Sequence, residues 1–168
     1  MLQHPTLPVP SVEGWRRADY VPTRFTPNHE TGRPAHDLIH AAGDTPEARR
    51  PRALVVDDAP DVTEMIATLM QYAGYEVVMV YSGPQALDAA RAEHFDVIVS
   101  DIGMPGMNGY ELATLLRALP DYGVTPMVAV TGFTMYDDRD RAFDSGFNAF
   151  LTKPINPADL INLVNSLR

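Results

Sequence analysis

The chain contains no cysteine, which excludes disulfides and thiolate metal sites and fits a reducing compartment. No apolar run reaches the roughly 20 residues a membrane-spanning helix needs. The first ten residues, MLQHPTLPVP, lack the apolar core of a secretion signal. A cytoplasmic protein with no membrane partner is therefore expected. Positive charge is scarce in the apolar-patterned part: residues 53–168 carry six Lys or Arg against sixteen Asp or Glu. So acidic a surface is a poor match for a phosphate backbone, and nucleic acid is not an expected partner. A cation or a basic protein surface suits it better.

What is present divides unevenly. Of 168 residues, 45% are hydrophobic, enough for a sizeable core. Residues 1–52 hold eight of the fifteen prolines, seven arginines and six acids, without a sustained apolar period. Residues 1–51 are accordingly expected to form a Pro-rich extended or disordered arm, and residues 52–168 the folded domain. In the arm, His36 and His40 would share one face of a helical turn, but a metal site would want a third ligand, and a solvated face is favoured. Trp15-Arg16-Arg17 is the arm's only large aromatic-basic cluster. It reads as tail composition or as a docking element.

From Ala53 the pattern is regular. Five short apolar runs, ALVVD (53–57), EVVMV (76–80), DVIVS (96–100), PMVAVT (126–131) and AFLT (149–152), do not alternate with polar residues. Strands covered on both faces look like this. Helical stretches separate them. In 60–73, Val62, Met65, Ile66, Leu69, Met70 and Ala73 form one helical stripe; Leu112, Leu115, Leu116 and Leu119 repeat it in 109–119, and Leu160, Ile161, Val164 and Leu167 in 156–168. Weaker helices are expected over 83–93 and 135–145. Pro60 and Pro157 suit first-turn positions, Asn108 with Glu111 approximates a capping box, Asn156 can cap, and Gly74 and Gly146 suit helix ends. Fivefold β-α alternation predicts an α/β fold, a doubly wound parallel sheet with helices on both faces.

Ligands of such sheets bind beyond the carboxyl ends of the strands. At those ends stand Asp57-Asp58, Asp101, Thr131 and, after the last strand, Lys153. Any one of these has an ordinary explanation as a cap or a solvated charge. Together, three carboxylates in one crevice repel, at a cost of roughly 4 kcal/mol per pair 4 Å apart at an effective dielectric near 20. An oxygen-loving divalent cation relieves this, and Mg2+ suits a shallow site that keeps waters. With no His or Cys in these loops, zinc is disfavoured. Asp101 could then be a ligand or a nucleophile toward a phosphoryl group, with Lys153 and Thr131 supplying a cation and a donor for the remaining oxygens.

The segments VVDD (55–58), SDIGMPGMNG (100–109), AVTG (129–132) and FLTKP (150–154) resemble the receiver domain of two-component response regulators. The resemblance covers about residues 52–168. It implies a flavodoxin-like (βα)5 fold with strand order 2-1-3-4-5. It implies Asp101 as phosphoacceptor, Asp57 and Asp58 as the acidic pair around Mg2+ with Asp58 the more direct ligand, and the Gly103 carbonyl as a backbone ligand. Thr131 and Phe150 take the positions of the switch hydroxyl and switch aromatic. Lys153 takes that of the phosphate-pairing lysine, and relatives usually have a cis bond at the position of Lys153–Pro154. A histidine kinase or histidine phosphotransfer protein would be the donor and a downstream protein the target. The chain would be a signalling receiver that catalyses only its own phosphorylation and dephosphorylation, with no DNA-binding output domain. Gly103 and Phe133, which cannot orient water, imply a slowly hydrolysed phosphorylated state.

Competing readings fit less well. A flavodoxin would want hydroxyls after the first strand, where DDAPDV places acids. An aspartyl phosphohydrolase would want D-x-D there. A receiver fold acting by docking alone leaves the complete set of acids, Thr and Lys without a use.

Overall fold

A computed structural model describes residues 23–24, 49–132 and 138–167; Trp15, His36, His40 and Phe133 lie outside the described residues. The elements run β1 (Thr23–Arg24), β2 (Arg52–Val56), α1 (Pro60–Tyr72), β3 (Glu76–Val80), α2 (Gly83–Ala92) and β4 (Val97–Asp101). They continue with α3 (Gly109–Arg117), β5 (Met127–Thr131), α4 (Asp138–Asp144), β6 (Ala149–Thr152) and α5 (Pro157–Ser166). The sheet order is β1-β3-β2-β4-β5-β6. Strands β2 to β6 are mutually parallel. Taken alone they stand second-first-third-fourth-fifth, the expected flavodoxin-like order. Strand β1 joins antiparallel at the edge, Thr23 opposite Met79 and Arg24 opposite Val78.

Side chains alternate across a strand, and here both faces find a core. Leu54, Val56, Val78, Val80, Ile98 and Ala129 face the layer that includes α2 and α3. Ala53, Val55, Val77, Val99, Val128 and Val130 face α1 and α5. This is why the strands read as unbroken apolar runs. Ile98, fully buried, would cost about 2–5 kcal/mol on truncation to Ala.

Helix α1 departs from the expected stripe. Its buried line is Thr63, Ile66, Ala67 and Met70, whereas Met65 is 42% exposed and Val62 and Leu69 are half-buried. The helix is rotated because Thr63 is anchored inward: its hydroxyl donates to the carbonyls of Asp57 at 2.9 Å and Ala59 at 3.0 Å. Val62 and Leu69 instead pack, partly buried, at the flank of that core.

Punctuation follows the sequence. Pro60 and Pro157 occupy first-turn positions. Asn108 and Glu111 form a reciprocal capping box at 3.0 and 3.2 Å. Gly74 and Gly146 adopt φ of +92° and +110° after α1 and α4, conformations glycine tolerates.

At the amino end of the sheet, charges are matched. Arg52 pairs with Glu93 and reaches Glu76 at 3.8 Å, with its guanidinium 5.2 Å from the Phe95 ring centroid. Arg117 donates to the carbonyls of Gly146, Tyr122 and Thr125 and to the Asn148 side chain, at 2.6–2.9 Å. It thereby ties the α3–β5 connection to the α4–β6 turn.

Candidate phosphoacceptor and cation site

The carboxyl ends of β2, β4 and β5 deliver the acids and the hydroxyl to one edge. Asp57 follows β2 directly and is fully buried. Its N–H donates to the Val80 carbonyl at 3.3 Å, its Oδ1 accepts the Ala59 N–H at 2.9 Å, and Thr63 holds its carbonyl from below. Asp58 points to the exposed side. Asp101 is the last residue of β4 rather than the first after it. Carboxylate oxygens of Asp57, Asp58 and Asp101 lie within 4.8 Å of one another.

Lys153 crosses this cluster. Its Nζ lies 2.7 Å from Asp57 Oδ2 and 3.0 Å from Asp101 Oδ1. Among the described residues, one ammonium against three carboxylates leaves the cleft two formal charges negative. Burial pushes the Asp101 carboxyl above its ordinary value, and nearby Asp57 adds to this, while Lys153 and the Gly103 N–H pull it down without cancelling the rise. Burial alone would lower Lys153, but its hydrogen bonds to Asp57 and Asp101 outweigh that and raise it. The lysine is thus held protonated, and the surplus negative charge rests on the acids.

Thr131 ends β5, buried, and its carbonyl accepts the Lys153 N–H at 2.8 Å. The Lys153–Pro154 bond is cis. Phe150 stands opposite Ala129 in register and is half-buried against the same core as Ile102 and Met104. Since residues two apart share a face, the side chains of Thr131 and Phe150 are directed to one side of the sheet. The exposed Gly103 sits beside Asp101. Asp57, Asp58, Asp101, Gly103, Thr131 and Lys153 are therefore at this edge, whereas Phe150 stands two residues back along the sheet.

Three supporting residues escaped the sequence reading. Thr63 is one. At Gly109 a Cβ would stand 2.7 Å from the Ile102 Cα, and the Gly109 N–H donates to the Ile102 carbonyl at 2.9 Å, so only glycine closes the loop this tightly. At Gly83 a Cβ would stand 2.7–2.8 Å from the Met107 side chain; the bare helix start of α2 is the seat for the loop that carries Gly103. The Asn-Gly pair at 108–109 was a visible signal for the second, but nothing local marked the other two.

The donor set fits a hard divalent cation: clustered carboxylate oxygens at a partly open edge, with no nitrogen or sulfur ligand among the described residues. A groove of about 460 Å³ lined by Pro51, Tyr75, Val97 and Val164 is at the opposite end of the sheet and takes no part.

Comparison with known proteins agrees with this geometry. The response regulator receiver domain family model matches residues 53–165. The polar-differentiation response regulator DivK of Brucella ovis is 33% identical over 113 residues, covering 67% of this chain and 92% of DivK. The sensor protein GacS of Pseudomonas syringae pv. syringae is 36% identical over 120 residues, 70% of this chain but 13% of GacS. The receiver domain of sensor histidine kinase PA1611 from Pseudomonas aeruginosa PAO1, solved with a magnesium ion coordinated in its active site cleft, is 28% identical with a TM-score of 0.66. That match covers 71% of this chain and 98% of the PA1611 domain. The chain belongs to the response regulator receiver family.

Proposed function

We propose that this receiver takes a phosphoryl group onto Asp101 from a phosphohistidine of a histidine kinase or histidine phosphotransfer protein, and that the transfer changes which protein it binds. The observation that carries the reading is the Lys153 ammonium bridging Asp57 and Asp101 in a cleft that keeps two surplus negative charges. Asp57, Asp58, Asp101 and the Gly103 carbonyl would hold Mg2+, which when bound neutralises phosphoryl oxygens. Support comes from the carboxylate cluster of this chain and from the magnesium in the PA1611 receiver.

An Asp101 carboxylate oxygen attacks phosphorus in line with the P–N bond. That bond breaks, its electron pair returns to the imidazole, which takes up a proton, and an acyl phosphate remains. Lys153 then faces the incoming phosphoryl charge instead of Asp101. The Thr131 hydroxyl, on the face it shares with Phe150, donates to a phosphoryl oxygen, and its inward shift frees space for the ring to follow. The surface made by α4, β6 and α5 is thereby biased toward a second state.

The test is intact mass after incubation with Mg2+ and acetyl phosphate. Gain of one phosphoryl group is expected, abolished in Asp101→Asn and suppressed by chelation. Undiminished labelling of Asp101→Asn would exclude Asp101 as the acceptor.

A further inference from the structure

Strand β3 reads Glu-Val-Val-Met-Val, with its last four residues buried. It carries no Lys, Pro or bulge of the kind that blunts a sheet edge, so its outer row of N–H and C=O groups is a template for pairing with another chain. In the structure that row meets Thr23 and Arg24 of the arm. The sequence around them is Val21-Pro22-Thr23-Arg24-Phe25-Thr26-Pro27. Two β-branched residues and an aromatic stand between prolines, which cannot donate to a ladder and so stop a strand at either side. Such a segment is suited to one short added edge strand.

We propose that the arm strand is an intramolecular cap that closes the β3 edge against a second copy of this chain. Residues 25–48 connect β1 to the domain, and 24 residues reach up to about 80 Å when extended. The span required is small, since β1 lies two strand spacings, roughly 10 Å, from β2. A connection of this kind holds the strand near its own edge at an effective concentration on the order of millimolar. At micromolar protein the chain's own arm therefore outcompetes another molecule for β3.

The test uses the full chain carrying Thr23→Pro and Arg24→Pro, which removes the arm N–H that faces β3, whichever of the two residues supplies it. Of the adjacent amides at Val78 and Met79, one points toward β2 and its neighbour toward β1, because backbone groups alternate along a strand. Residue-resolved hydrogen exchange should show the outward one accelerated by about tenfold or more, with the inward neighbour and the amides of β4 and β5 unchanged. Sedimentation should show a monomeric wild type and a variant that self-associates as its concentration rises. Unchanged exchange at both Val78 and Met79 would overturn the proposal. So would loss of protection throughout β4 and β5, which would make the arm part of the fold, or a wild-type dimer dissolved by the two prolines, which would place the strand in trans.

Discussion

The two ends of the sheet treat charge in opposite ways. At the amino end, Arg52 meets Glu93 and Glu76, Arg49 meets Asp96 at 3.4 Å, and Arg117 is enclosed by carbonyl oxygens. At the carboxyl end, three acids share one lysine. The first arrangement satisfies its groups within the chain, apart from the buried Arg52 Nε, and holds loops together. The second leaves two formal negative charges unmatched among the described residues. An end that is complete contributes stability, and an end left short of charge is prepared to bind.

Breaking the complete end should have the largest effect on folding. Arg117→Ala removes donors from three carbonyls and one side-chain amide. The loss is expected to be about 2–4 kcal/mol, read as a lower urea midpoint. Arg117→Lys should recover little of it, because a single ammonium cannot reproduce the planar fork. Mg2+ binding at the other end should persist in both variants under native conditions. Loss of Mg2+ binding in a folded Arg117 variant would show that the two ends are not separable.

A smaller effect of opposite sign is expected at the incomplete end. The folded pKa of Asp101 is raised above the ordinary 3.8, so the folded state holds this proton more tightly than the unfolded chain does. The stability linked to that proton is fully present below the unfolded pKa and falls away as pH rises through the folded value. Asp101→Asn has no such proton to lose. Without divalent cation, its Tm relative to wild type should therefore climb between about pH 4 and pH 7 by a few degrees. A difference that stays flat or shrinks over that range would mean Lys153 fully compensates Asp101.

The same contrast explains what the sequence disclosed. Strands were legible because both faces are covered, so Val55, Val99 and Val130 needed no alternation to be recognised. That Asp57, Asp58, Asp101, Thr131 and Lys153 meet at one edge was legible because parallel β-α units bring all their strand ends to one side of the sheet. Strand ends moved by a residue, placing Asp101 within β4, since hydrogen bonding and not hydropathy sets them. The facing of α1 was misread because Thr63 is polar and packs inward through hydrogen bonds to carbonyls, which hydropathy cannot register. Arg117 was invisible for a related reason: its partners are mostly backbone atoms of distant residues, and any residue has a carbonyl. Strand β1 went unrecognised because two residues are too few for a period.

The most direct test of the contrast is calorimetric titration of Mg2+ into the full chain at neutral pH. One ion should bind per wild-type molecule, with loss of binding in Asp58→Asn and Asp101→Asn and none in Arg52→Gln at the opposite end. A tenfold excess of free Mg2+ over its dissociation constant should then stabilise wild type by roughly 1.4 kcal/mol. No binding to wild type, or undiminished binding to Asp101→Asn, would contradict the claim that the carboxyl end is a cation site left incomplete by the chain itself.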